Sequence, residues 1–154
     1  MNIQSLTKVY EDQLNNLQDL LMAAQLKQKA VIQNNRKTLE IYTLQEESVL
    51  TRINRKEQER ENFIEKIFNE HNRFNLKEED VNFENVIAGL LKLFNPEELT
   101  KFNSLREEIK FTTQKIKDIN FQNKRLIEQA NGVIKQTLGI LLKSQKKPLL
   151  DRKI

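Results

Sequence analysis

The sequence predicts an all-α fold, an antiparallel bundle or coiled coil of three to four helices with a long C-terminal helix. The 154 residues include 3 Gly and 2 Pro, which are too few turn formers for a fold built on sheets. With 31% charged and 38% apolar residues, the core has to be a narrow seam between long helices packed side by side. We expect one helical domain at 1–142 and a basic, disordered tail at 143–154.

Apolar residues at helical spacing predict the first two helices. The first, from about residue 3 to 33, has one apolar side at steps of three, four or seven residues, formed by Leu6, Tyr10, Leu14, Leu17, Leu21, Ala24 and Val31. The second, at 36–68, follows a heptad with polar members, namely Leu39, Tyr42, Glu46, Val49, Ile53, Lys56, Arg60, Phe63 and Ile67. The many charges of this helix are expected on its exposed face. Residues 34–37 allow either a tight turn or a bent continuous helix.

The start of the last helix has the strongest local signal. Residues 69–82 lack periodicity and predict a loop, and the apolar patch at 83–94 predicts one short helix. Asn95 is a preferred N-cap residue, Pro96 suits the first helical position, and Glu97 and Glu98 complement the helix dipole. No residue that ends a helix follows before Pro148.

The last helix has an apolar side that extends beyond the reach of its neighbours. At 1.5 Å per residue, residues 96–142 extend about 70 Å, against about 45–50 Å for each of the first two helices. We therefore expect its C-terminal end to project from the bundle. Apolar helical faces without a neighbour are places where other proteins dock. The candidate binding residues are Leu126, Ile127, Ala130, Val133, Ile134, Leu138, Leu141 and Leu142.

Charge and composition argue against several classes of function. The net charge of +4 comes wholly from the tail at 143–154, because the rest of the chain is balanced, and no basic face carries interleaved aromatics as nucleic-acid binders do. A single His71 with no cysteine forms neither a metal site nor a nucleophile–base pair. We predict no enzyme, no cofactor and no small-molecule substrate. The lack of cysteines, of a signal peptide and of any long apolar span predicts a cytoplasmic protein.

Three stretches in order resemble the FlgN-type flagellar export chaperones. They are an amphipathic helix with a polar break (DLLMAAQLKQKAVIQNNRKTL), a Glu-rich helix with a Leu/Ile seam (LEIYTLQEESVLTRINRKEQER), and a C-terminal helix containing asparagines (NFQNKRLIEQANGVIKQTLGIL). Together they cover about residues 1–142.

The resemblance implies a helical chaperone that binds the C-terminal helical ends of flagellar hook-associated proteins, the hook–filament junction proteins. It implies that the chaperone keeps these proteins unpolymerised and brings them to the export gate at the membrane. The family's binding region lies in the C-terminal part, which corresponds here to the candidate residues given above. A tail tyrosine docks some members at the gate, but this sequence has only Tyr10 and Tyr42, so that contact does not carry over. The alternative is a coiled-coil adaptor or homo-oligomer that buries the same face against itself.

Overall fold

The chain folds into long helices, as the sequence predicts. The computed structural model describes residues 3–70, 88–89, 91–92 and 94–151. Within these ranges lie three long helices, α1 (Ile3–Ile32), α2 (Arg36–Glu70) and α3 (Pro96–Asp151). The all-α prediction with a long C-terminal helix is confirmed. Most of the predicted loop at 69–82 and of the short helix at 83–94 lies outside the described residues.

A tight turn, and not a bend, separates α1 from α2. The backbone N–H of Asn35 donates to the carbonyl of Ala30 at 2.9 Å, and that of Asn34 donates to the carbonyl of Val31 at 3.1 Å. These two bonds, with Asn34 in the left-handed region at φ 52°, form a Schellman motif. Asn35 then caps α2, because its Oδ1 accepts from the N–H of Thr38 at 3.1 Å.

Helix α1 lies between the other two and packs along both of them. Its Lys27 pairs with Glu46, so α1 and α2 run antiparallel, as a turn of this length requires. In contrast, α1 and α3 run in the same direction. Near their beginnings, Tyr10 contacts Phe102 with ring centroids 4.7 Å apart. Further along, the Asn123 side chain reaches the Ala24 carbonyl.

Two apolar clusters along α1 form the core. The first surrounds Phe102, which is fully buried, and contains Leu6, Tyr10, Phe63 and Phe94. The second joins all three helices through Leu17, Leu20, Val49 and Ile116. Because α1 has a neighbour on each side, it also buries Ala23 and Ala30, which lie outside the predicted stripe. The sequence analysis assigned α1 a single apolar side, which is what a helix with one neighbour needs. The second buried face of α1 was therefore not predicted.

The polar members of the α2 heptad face α1. Glu46 is 9% exposed and accepts from Lys27 Nζ at 2.8 Å. Lys56 lies 3.5 Å from Asp12, whose pKa is lowered chiefly by the hydrogen bond from Lys8. The predicted register, which includes Glu46 and Lys56 among its members, therefore agrees with the side of α2 that packs against α1.

Helix α3 begins with a capping box. The N–H of Glu98 donates to Asn95 Oδ1 at 2.8 Å, and the N–H of Asn95 donates back to Glu98 Oε2 at 3.2 Å. The helix continues through Pro148 to Asp151, beyond the predicted end. Proline keeps φ in the helical range and removes one hydrogen bond near the free end of the helix, so it need not end the helix there. The division into a domain at 1–142 and a disordered tail at 143–154 stays a prediction.

Candidate protein-binding surface on the C-terminal helix

Helix α3 extends well past the end of the α1–α2 hairpin. Among the residues that the structure describes, the last polar contacts between α3 and the hairpin are Gln28 Nε2 to Gln122 Oε1 at 2.9 Å and Asn123 Nδ2 to the Ala24 carbonyl at 3.0 Å. Every residue from 128 to 138 is exposed. We call residues 128–151 the overhang; at 1.5 Å per residue it is about 35 Å long.

The predicted binding residues lie on one side of α3, across the end of the hairpin and along the overhang. Leu126 and Ile127 are half-buried beside the hairpin, whereas Ala130 is exposed. The large side chains beyond it are 53% to 62% exposed, and they are Val133, Ile134, Leu138, Leu141 and Leu142. We call these eight residues the apolar strip.

Ile140 belongs to the same surface and was missed from the sequence. It is 65% exposed and lies one heptad after Val133, on one edge of the apolar strip. Its heptad relation to Leu126 and Val133 is the sequence signal that would have identified it. The strip is therefore wider than predicted on that edge.

The apolar strip continues the face of α3 that packs against α1. A single heptad position runs along this face, and in the bundle it is occupied by Phe102, Ile109, Ile116 and Asn123. The next two members are Ala130 and Thr137, both exposed. Because the helix is continuous, the overhang presents to solvent the same side that α3 buries along the hairpin.

Few charges border the strip. Among the described side chains of the overhang, at 128–143, the charged residues are Glu128, Lys135 and Lys143. The remaining polar side chains there are mostly amides, including Gln129 and Gln136. A partner on this surface would be recognised chiefly by apolar contact and little by charge.

A cleft of about 510 Å³ lies where the strip meets the hairpin. Leu20, Glu46 and Leu50 from the hairpin face Asn123 and Ile127 of α3 across it. Asn123 is 3% exposed, and while its Nδ2 donates to Ala24, its Oδ1 is buried without a hydrogen-bond partner. Polar side chains such as Asn123 and Glu46 therefore line this cleft between packed helices. They do not pair a nucleophile with a base.

The described part of the chain holds neither a cluster of metal-ligating side chains nor a helix that could span a membrane. Its residues contain no group of three or more His, Cys, Asp or Glu side chains placed to hold a metal ion, and His71 lies outside it. None of the described helices has a stretch long and apolar enough to cross a membrane. The acidic side chains that face between helices are engaged in ion pairs, such as Glu11 with Lys101 at 2.8 Å.

Fold and surface together define a class, an all-α protein whose projecting C-terminal helix carries an exposed apolar face. The chain matches the family described as FlgN protein over residues 1–150. It therefore belongs to the FlgN family, the flagellar export chaperones. No curated protein and no solved structure matches it significantly.

Proposed function

We propose that this protein is a cytoplasmic export chaperone that binds the C-terminal helical segments of flagellar hook-associated proteins on its apolar strip. Binding prevents their premature assembly, and the complex delivers them to the flagellar export gate. The observation that carries the proposal is the row of large apolar side chains, each more than half exposed, along the overhang. Family membership supplies the chaperone role.

The chemistry of the surface suits such clients. Segments that build a filament junction are amphipathic and tend to associate with each other, so a chaperone has to cover their apolar side with its own. Burying the exposed half of one Leu or Ile side chain contributes about 1 kcal/mol, and the strip has several. Release requires no nucleotide if a competing surface at the gate takes over the client.

Charging the strip tests the proposal. The double substitution Ile134→Asp and Leu141→Asp places two carboxylates in the proposed contact, where an unpaired charge is costly to bury. We expect the stoichiometric complex with the C-terminal segment of a hook-associated protein, measured by gel filtration with light scattering, to disappear. Circular dichroism should still show a folded helical protein, because neither side chain packs in the core.

Gly132→Asp with Gly139→Asp is the matched control. These positions have the same seven-residue spacing and lie on the opposite side of α3, where an added Cβ meets no atom within 4 Å. The control should bind the client no more weakly than the parent does. Failure of both variants to affect binding would contradict the assignment of the strip. If the parent protein binds no client and forms a dimer that the Ile134→Asp, Leu141→Asp substitutions abolish, the strip is instead the interface of a homo-oligomer.

Delivery is tested in cells. A strain in which the chromosomal copy carries Ile134→Asp and Leu141→Asp should secrete much less hook-associated protein into the medium than one with the control pair. Equal secretion by both strains would show that the strip is not needed for export.

A further inference from the structure

The overhang repeats the surface that α3 offers to α1, but with no helix against it. Along the hairpin, Gln122 accepts a hydrogen bond from Gln28 of α1, and Asn123 lies against the α1 backbone. One and two heptads later, Gln122 is repeated by Gln129 and Gln136. The surface that holds α1 thus continues for about 24 Å, from 128 to 143, beyond the last turn of α1.

Small residues run along the centre of this surface. Ala130 and Thr137 occupy the heptad position that Phe102, Ile109 and Ile116 fill in the bundle. Larger side chains flank them on both sides, with Val133 and Ile140 on one and Ile134 and Leu141 on the other. Small residues between two rows of large ones form a valley into which side chains of a second helix insert.

We propose that the strip takes one amphipathic helix, which lies coaxially with α1 beyond the turn at Asn34 and replaces it as the neighbour of α3. This rests on the proposed function and specifies its ligand. The bound helix carries large apolar residues at heptad spacing, seated over Ala130 and Thr137. One of its edges carries amide side chains, which pair with Gln129 and Gln136 as Gln28 pairs with Gln122.

Larger side chains at Ala130 and Thr137 test whether client side chains insert into the valley or whether the client only contacts an apolar surface of any shape. Ala130→Leu with Thr137→Leu increases the apolar area of the strip but blocks the space into which the client side chains insert. We expect binding of a synthetic C-terminal peptide of a hook-associated protein to weaken roughly tenfold to hundredfold by isothermal titration calorimetry. Gly132→Leu with Gly139→Leu adds the same two side chains on the opposite side, where they also favour the helix, and should not weaken binding.

Position is measured with spin labels. The chain has no cysteine, so Lys37→Cys beside the turn and Lys143→Cys in the overhang each give one labelling site. In separate samples, the two nitroxides should broaden the NMR signals of opposite ends of the same isotope-labelled peptide.

The outcomes distinguish this inference from the function on which it rests. If the unmodified protein does not bind the peptide, the proposed function fails. If it binds but the valley-filling variant binds equally well or more tightly, or if the label at Lys37→Cys affects no peptide signal, the coaxial arrangement is wrong and the chaperone function stands.

Discussion

Polar side chains at a few positions determine how the helices meet. Asn123 is the clearest example. Its buried Nδ2 donates a hydrogen bond to the Ala24 carbonyl, whereas its Oδ1 is buried without a hydrogen-bond partner. A buried amide that is satisfied in only one alignment costs stability and selects that alignment. Asn123 lies in the asparagine-containing stretch of the C-terminal helix that the sequence analysis singled out, but its bond to α1 depends on the parallel pairing of α1 with α3, which no local pattern contains.

Asn34 allows a direct test of the turn. Its φ of 52° costs a residue with a Cβ about 1–2 kcal/mol, least for Asn and most for a branched side chain. We expect Asn34→Gly to raise the free energy of unfolding by up to about 1 kcal/mol, and Asn34→Val to lower it by about 1–2 kcal/mol. Urea denaturation followed by circular dichroism measures both.

The neighbouring Gln33→Val is the control for that experiment. Gln33 is exposed, and its N–H makes an ordinary helical bond to the Lys29 carbonyl. This change should alter stability by less than Asn34→Val does. Equal losses at both positions would mean that the turn does not depend on the left-handed conformation of residue 34.

Among the elements, α2 was the most predictable from sequence and α1 the least. The α2 heptad packs mainly along one helix, α1, so a single stripe describes it, and even its polar members Glu46 and Lys56 face inward in the predicted register. Helix α1 has two neighbours. Residues such as Ala30 are buried on its second face, and this face could not be predicted because small side chains give only a weak hydrophobic pattern. For α3, the apolar pattern placed the strip on one face, and the difference in helix lengths predicted that this part of the helix projects past the hairpin.

Two glycines make the overhang weaker than the rest of α3. Gly132 and Gly139 have open space around them, so close packing within the chain does not require them, and each costs about 1 kcal/mol of helix stability relative to Ala. Gly132→Ala with Gly139→Ala should therefore increase the helical circular dichroism signal. If the client binds the helical form, the affinity should also rise, because less ordering accompanies binding.

Calorimetry of the alanine double variant with the hook-associated peptide provides that second measurement. The two Ala side chains lie on the side away from the strip and add no contact with the peptide. A gain in affinity therefore reports the increased helical order of the overhang alone. A lower affinity despite greater helicity would show that the client needs the overhang to bend at these positions, and would count against a straight, continuous strip.

At the scale of the whole molecule, charge and apolar surface occupy different parts of the chain. The excess positive charge lies at 143–154, while residues 126–142, which carry the apolar strip, contain one acidic residue, Glu128, and one basic residue, Lys135. A partner held by the strip and one held by the basic end therefore respond differently to salt, because ionic strength screens exposed charges and leaves apolar contact intact.

Client binding should follow the strip. Between 50 and 500 mM NaCl we expect the Kd for the hook-associated peptide to change less than roughly threefold, and deletion of residues 143–154 to leave it nearly unchanged. Polyglutamate serves as the control for charge-driven binding. Its affinity for the protein should fall both at high NaCl and on deletion of residues 143–154. Client affinity that falls steeply with salt and disappears with the deletion would assign recognition to the basic end. The exposed strip would then have to be covered by something other than the client, for which a second copy of the chain is the first candidate.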